Sequence, residues 1–235
     1  MVNISFREIE YQDYIIWNTF IPELEVEIYA IDVKGISKKP EEFQNKIPQE
    51  RYRKMLRYHN YSDKMLLIGN EILFEYRMEH FFPEIKCEEW KRREDAFGKP
   101  YIEGEDQIYF NMSHAGTYSV CAFSNKPVGI DIERISPVDL LIAQRYYCIS
   151  EFKDIMKYRG DDRIKRFYQY WVLKESFIKA VGKGLSIPLD KFSFHEGADN
   201  GLLYVNHQIN ENKYLSRQLP CFDRQYEMAV CIQVL

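Results

Sequence analysis

Four side chains in two short segments carry most of the chemistry this chain offers. Asp131 and Glu133 stand in Val128-Gly129-Ile130-Asp131-Ile132-Glu133. Glu175 and Lys179 stand in Trp171-Val172-Leu173-Lys174-Glu175-Ser176-Phe177-Ile178-Lys179. The first segment alternates apolar and acidic residues, the two-residue period of a half-buried strand. That period turns Ile130 and Ile132 towards a core and puts Asp131 and Glu133 on the opposite face, about 6–7 Å apart along the strand. Like charges that close are unfavourable unless a cation or a basic partner sits between them. The second segment has helical spacing, so Glu175 and Lys179 lie one turn apart on one face. Carboxylates so arranged are the hard oxygen ligands that Mg²⁺ accepts alongside phosphates and water. A nearby lysine would then meet a phosphate rather than the metal. This is the outline of a phosphoryl-transfer site.

Taken singly, each piece has an ordinary explanation. Acids on the open face of an edge strand are common. A Glu–Lys pair one helical turn apart is a surface ion pair contributing about 0.3–0.5 kcal/mol. Gly182-Lys183-Gly184-Leu185-Ser186 follows a helix and lacks the spacing of a P-loop, so Gly182 reads as a helix C-cap. No G-x-G-x-x-G follows a strand, which leaves a dinucleotide fold unsupported. Ser113 and His114, in Phe110-Asn111-Met112-Ser113-His114, lack the G-x-S-x-G elbow of a hydrolase. Phe97-Gly98-Lys99-Pro100 is a turn, although one rigid enough to let backbone approach a flat ring. The basic run of Arg51, Arg53, Lys54 and Arg57 reads by itself as a solvated helix face.

The elements that must hold these residues follow from periodicity and punctuation. Residues 1–25 mix aromatics with acids and form an N-terminal extension to which the pattern assigns no structure. A strand is expected at 26–33, helices from Gln49 to about Tyr58 and from Ser62 to about His80, with Ser62 as N-cap and Pro83 beyond the end. Short strands follow at 99–102, 108–110, 118–123 and 128–135. Helical segments come next at 138–145, 150–158 and 163–181, and strands close the chain at 202–208 and 228–234. Each half reads as strand, helices, then strands, and no Pro/Gly/Ser-rich linker separates them. Two α+β halves, 26–127 and 128–235, sharing a large interface are therefore expected.

Composition narrows the function classes. The formal net charge is −4, which argues against general binding to nucleic acid or an acidic membrane. Five cysteines are scattered without a C-x-x-C pair, suggesting neither a zinc site nor a disulfide framework. The N-terminus does not resemble a signal peptide, and no apolar run approaches the ~18–20 residues of a membrane span. A reducing cytoplasm is the expected compartment.

The order of the motifs is more informative than any one of them. Gly98-Lys99-Pro100, Phe110-Asn111-Met112-Ser113-His114, Gly129-Ile130-Asp131-Ile132-Glu133, Trp171 to Lys179 and Gly182 to Asp190 follow one another at compatible spacing. The series resembles the 4′-phosphopantetheinyl transferases of the type that activates surfactin synthetase, over roughly residues 26–235. The resemblance implies a pseudo-dimer of two similar α/β halves with coenzyme A in the cleft between them, working as a monomer. It implies transfer of the 4′-phosphopantetheine arm of coenzyme A to a serine of an apo carrier protein, with release of adenosine 3′,5′-bisphosphate. The carriers of such enzymes serve fatty-acid, polyketide or nonribosomal peptide synthesis, antibiotics included.

By the same resemblance Asp131, Glu133 and Glu175 hold Mg²⁺, Glu151 is a base for the carrier serine, and Lys179 contacts the diphosphate and the departing phosphate. Ser113 and His114 meet the coenzyme A phosphates, and Lys99 and Pro100 flank the adenine. The family offers two lysines one turn apart for the 3′-phosphate, where this chain has Glu50 and Arg53. Arg53 and Lys64 are the residues expected to carry that phosphate instead. Two other readings stay open: a relative that binds coenzyme A or a carrier without transfer, and a Mg²⁺-dependent phosphodiesterase or nucleotide hydrolase.

Overall fold

The structure is a computed structural model that describes residues 4–85, 89–105, 107–197 and 201–234. Its layering follows from alternation within strands. In Val26–Asp32, Val26, Ile28 and Ala30 point to one face and Tyr29 and Ile31 to the other, and all five are buried. A strand covered on both faces has to sit between two layers.

Numbered along the chain, the first-half strands are Arg7–Tyr11 (β1), Tyr14–Ile21 (β2), Val26–Asp32 (β3), Arg92–Glu94 (β4), Pro100–Ile102 (β5), Tyr109–Ala115 (β6) and Tyr118–Ser124 (β7). Its helices are Gln49–Leu56 (α1) and Tyr61–Phe81 (α2). A five-stranded sheet runs in the order β1-β2-β3-β7-β6, and β4 and β5 make a separate hairpin. Helix α2 lays Leu66, Ile68, Ile72 and Leu73 against Tyr29, Ile31, Cys121 and Phe123 of the sheet.

The second half consists of Val128–Arg134 (β8), Leu141–Tyr146 (α3), Ile149–Lys157 (α4), Gly160–Val181 (α5), Phe192–Glu196 (β9), Leu203–His207 (β10), Tyr214–Leu219 (β11) and Tyr226–Gln233 (β12). Its sheet runs β8-β12-β11-β10-β9. Helix α5 covers one face, with Val172 and Leu173 in the cluster of Ala229, and Phe177, Ile178 and Ala180 in that of Cys231.

Both halves share one plan. The first strand leads into helices, and the last strand returns antiparallel beside the first, β7 beside β3 and β12 beside β8. The faces that the helices leave uncovered meet each other: Val26, Ile28, Ala30, Val120 and Ala122 share a core with Val128, Ile130, Ile132, Met228, Val230 and Ile232. The layers therefore run helix, sheet, sheet, helix. This is an α+β pseudo-dimer of two similar halves, with no loose tether between them.

Strands β4, β9 and β11 stand where the sequence pattern gives none, and other elements depart from expectation too. Residues 7–21 are strands β1 and β2, which extend the first sheet beyond β3. Helix α2 starts at Tyr61 with Asn60 as its N-cap, so Ser62 lies inside the first turn. Strand β6 runs on through Ser113 and His114 to Ala115, well past the expected end at 110. Among the described residues no helix is long and apolar enough to cross a membrane. The described cysteines, Cys121, Cys148, Cys221 and Cys231, are free thiols, and Cys87 lies outside the described residues.

Candidate functional site

Strand β8 is an edge strand, and its neighbour across the junction of the halves is β6, itself an edge. Two hydrogen bonds tie them. Ile130 N donates to Asn111 Oδ1 at 3.0 Å, and Ser113 Oγ donates to Asp131 Oδ1 at 2.9 Å. Polar residues on β6 thus occupy positions that an apolar pattern would have given to the core. They are buried, Asn111 and Ser113 included, because they satisfy the free edge of β8.

Helix α5 crosses the acidic face of β8 so closely that a methyl group on Gly129 would lie 2.1 Å from Ser176 O and 2.4 Å from Ala180 N. Glycine is what allows this approach, and the approach brings Lys179 onto Asp131. Lys179 Nζ donates to Asp131 Oδ1 at 2.6 Å, to Ser113 Oγ at 2.9 Å and to Ile130 O at 3.2 Å. Asp131 Oδ2 is buried and has no hydrogen-bond partner. Glu133 Oε1 accepts from Trp171 Nε1 of α5 at 3.3 Å.

The acids repel one another. Burial, and then the charge on Asp131, push the Glu133 carboxyl up to about 7. Burial and Asp131 raise Glu175 as well, while Lys179 opposes that shift. On β6, Asn70 Nδ2 of α2 lies 3.3 Å from His114 Nδ1. Burial, and then the Lys179 ammonium, lower the histidine pKa. No group of three or more His, Cys, Asp or Glu side chains is gathered as a metal cluster among the described residues. Lys179 is the cation on Asp131 in this arrangement.

A cavity of about 320 Å³ adjoins this face, lined by Phe97, Lys99, Pro100, Met112, Ile178 and Lys179 among others. The loop that forms one wall is held by Asp95, whose Oδ1 accepts from Phe97 N and Lys99 N. Lys99 Nζ donates to Ala180 O at 2.8 Å, in the last turn of α5. Its stem packs against Gly182, the left-handed C-cap of that helix at φ 79°. The C-cap expected for Gly182 is present.

Burial pushes the Lys99 ammonium down to about 8. An unfolded lysine titrates near 10.4, so between these values the unfolded chain binds more protons than the native one. Stability that burial removes below pH 8 is regained as the pH rises towards 10. Denaturant titrations from pH 7.5 to 10 should therefore show the wild type gaining on Lys99→Met. Parallel curves for the two proteins would remove this assignment.

The residues singled out in the sequence fall into three groups. Ser113, His114, Asp131, Glu133, Glu175 and Lys179 come together at the β6–β8–α5 junction, with Lys99 and Pro100 in the adjoining cavity. Arg53 lines a different cavity, about 540 Å³, together with Glu50, Arg51, Lys54, Arg57 and Arg92. Lys64 lies in the first turn of α2 and lines neither cavity.

Glu151 stands apart from this junction. It is 3% exposed, its Oε2 accepts from the fully buried Lys174 Nζ at 2.8 Å and from Cys148 N at 3.1 Å, and its Oε1 is buried too. In this arrangement the carboxylate caps the start of α4 and pairs with Lys174. The Cys148–Glu151 spacing, an N-cap followed three residues later by Glu, was the available signal for a capping role. Lys174, Trp171, Asn70 and Asn111 were also passed over. Nothing in a lone lysine or asparagine marks it as buried.

Comparison with known proteins shows the family. The family model described as "4'-phosphopantetheinyl transferase superfamily" matches residues 127–231. A 4'-phosphopantetheinyl transferase of Bacillus subtilis is 38% identical over 146 residues, 57% of this chain and 59% of that protein. The 4'-phosphopantetheinyl transferase Sfp of Bacillus subtilis (strain 168) is 32% identical over 197 residues, 81% of this chain and 84% of that protein. The solved holo-[acyl-carrier-protein] synthase of Thermotoga maritima superposes at a TM-score of 0.38, with 20% identity over 46% of this chain and 62% of that one. With a match that runs through both halves, the chain belongs to the 4'-phosphopantetheinyl transferase superfamily.

Proposed function

We propose that this enzyme transfers the 4′-phosphopantetheine arm of coenzyme A to a serine of an apo carrier protein, with Mg²⁺ on Asp131, Glu133 and Glu175. The observation that carries the reading is the pairing of Lys179 and Ser113 on one oxygen of Asp131, with the other oxygen buried and unpartnered. The donor set suits a hard dication: every candidate ligand is a carboxylate, and burial together with the charge on Asp131 raises Glu133 and Glu175, a cost that a cation would offset. When bound, Mg²⁺ supplies neutralising charge for the diphosphate.

The chain's own residues do the rest. Lys179 and Ser113 are donors at the acidic face, placed to meet diphosphate oxygens, with His114 next along β6. Phe97, Pro100 and Ile178 line a cavity suited to a flat base. Transfer forms a bond from the carrier serine oxygen to the pantetheine-bearing phosphorus and breaks that phosphorus from the bridging oxygen, the hydroxyl proton passing to solvent or to the departing phosphate. Adenosine 3′,5′-bisphosphate leaves, and the Lys179 ammonium stabilises the charge on its departing phosphate. Helices α3 and α4 expose Leu141, Tyr146 and Ile149, apolar side chains that suit contact with a protein substrate. Both halves of the site come from one chain, which supports a monomer, and free thiols suit a reducing cytoplasm.

Incubation with coenzyme A, Mg²⁺ and an apo carrier should add the phosphopantetheine mass to the carrier and release one bisphosphate per transfer. Bisphosphate release without a carrier would instead make the enzyme a phosphodiesterase. In the same assay Arg53→Ala and Lys64→Ala should each weaken use of coenzyme A by about tenfold or more, since charge-assisted phosphate contacts contribute roughly 1.5–3 kcal/mol. Dephospho-coenzyme A, which lacks the 3′-phosphate, should be almost unaffected. Equal losses with both cofactors would take these two side chains off the 3′-phosphate.

A further inference from the structure

Lys174 is a lysine with no exposed surface at all, set in the middle of the helix that carries Glu175 and Lys179. Its ammonium has three N–H donors, and each has an acceptor: Leu189 O at 2.8 Å, Phe192 O at 3.1 Å and Glu151 Oε2 at 2.8 Å. The rings of Phe192, Tyr147 and Phe194 surround it at 4.4, 5.2 and 5.8 Å. Glu151 in turn holds Cys148 N at the start of α4, and Cys148 Sγ donates to the same Phe192 carbonyl. One ammonium thus joins the start of α4, the segment 189–192 and the middle of α5.

An apolar side chain of similar volume would fill this space at lower cost, because taking an ion pair out of water is often no gain in stability. What the pair adds is direction. Adjacent helix positions are about 100° apart, so holding Lys174 on three fixed oxygens sets the bearing of its neighbour Glu175 and, one turn on, of Lys179. The connection to the acidic face is short. The Tyr147 ring beside Lys174 also feels the charges of Glu151, Glu175 and Glu133, all of which oppose its ionisation. We infer that Lys174, braced by Glu151, is a positioning residue that sets the rotation of α5 and thereby aims Glu175 and Lys179 at Asp131.

The inference rests on the proposed reading of the acidic face, and the experiment separates the two. The test compares wild type, Glu151→Gln, the double variant Glu151→Gln/Lys174→Met, and Glu175→Ala. The double variant removes both buried charges and should melt close to wild type, which keeps the test clear of a folding failure. Its kcat should fall about tenfold or more, with the KM for coenzyme A changed less than about threefold. Trp171 lies one turn before Glu175 on α5 and donates to Glu133, so its fluorescence reports the helix rotation with no cofactor present. Its emission, isolated by difference from Trp171→Phe, should shift in the double variant.

A folded double variant with wild-type Trp171 emission and kcat overturns the inference. So does Glu151→Gln losing kcat with unchanged emission, because that result gives Glu151 a chemical role. Full activity in Glu175→Ala would sink the reading of the acidic face, whatever Lys174 does to the helix.

Discussion

Asp131→Ala is expected to lower transfer by about 10³-fold or more, a loss of roughly 4 kcal/mol of transition-state stabilisation. The two oxygens of this carboxylate stand in different surroundings. One holds the Lys179 ammonium and the Ser113 hydroxyl, and the other is buried without a partner. Its removal takes away a proposed ligand and frees the two donors that face it, so positioning and charge fail together. The fold should survive. Lys179 is 27% exposed along its side chain and keeps Ser113 Oγ and Ile130 O, so it can take up water in place of the lost partner. Carrier mass measured over time gives the rate, and a thermal melt gives the fold. Near-normal turnover at saturating Mg²⁺ would remove Asp131 from the centre of the site.

Gly129→Ala should be the most damaging small change to the fold. The added methyl would meet backbone atoms of Ser176 and Ala180, and backbone in the middle of a helix cannot swing aside as a side-chain tip can. Overpacking of this kind destabilises by about 3 kcal/mol or more. For a chain of 235 residues that is a fall in Tm of roughly 6–12 °C. Helix α5 can relieve the clash only by moving off β8, which carries Lys179 away from Asp131. The variant that remains folded should therefore be slow as well as unstable, in calorimetry and in the transfer assay. A melt within 2 °C of wild type, about what a 1 kcal/mol effect would give, would mean that the contact yields.

What could be read in advance depended on whether a residue's neighbours were local. Asp131 and Glu133 alternate with Ile130 and Ile132, and the period alone put the acids on one face and the isoleucines in the shared core. Glu175 and Lys179 were paired by helical spacing alone, and α5 spans both. Strand β6 was cut short at residue 110 because Asn111, Ser113 and His114 break the apolar pattern. Their partners lie on β8 and α2, which no local window includes. Strands β1 and β2 were missed for a different reason. They turn through Gln12 and Asp13, with Gln12 at φ 53°, and no glycine or asparagine announces the hairpin. The ion pair of Glu151 has no local sign either, because a capping carboxylate and a catalytic one look alike in sequence and Lys174 lies on a different helix.

The core between the two sheets also bears on how the chain is made. While a ribosome is still producing the second half, the first sheet can already close, since β3 pairs with β7. Its face of Val26, Ile28, Ala30, Val120 and Ala122 then has at most β8, with Val128, Ile130 and Ile132, to cover it. The covering residues on β12 are made about a hundred positions later, a delay of several seconds at ordinary rates of synthesis. For that interval the nascent protein presents a broad oily surface, the kind that holding chaperones engage and that aggregates when they are scarce. A slower passage through the second half should therefore lower its yield in a cell without any change in the stability of the finished molecule.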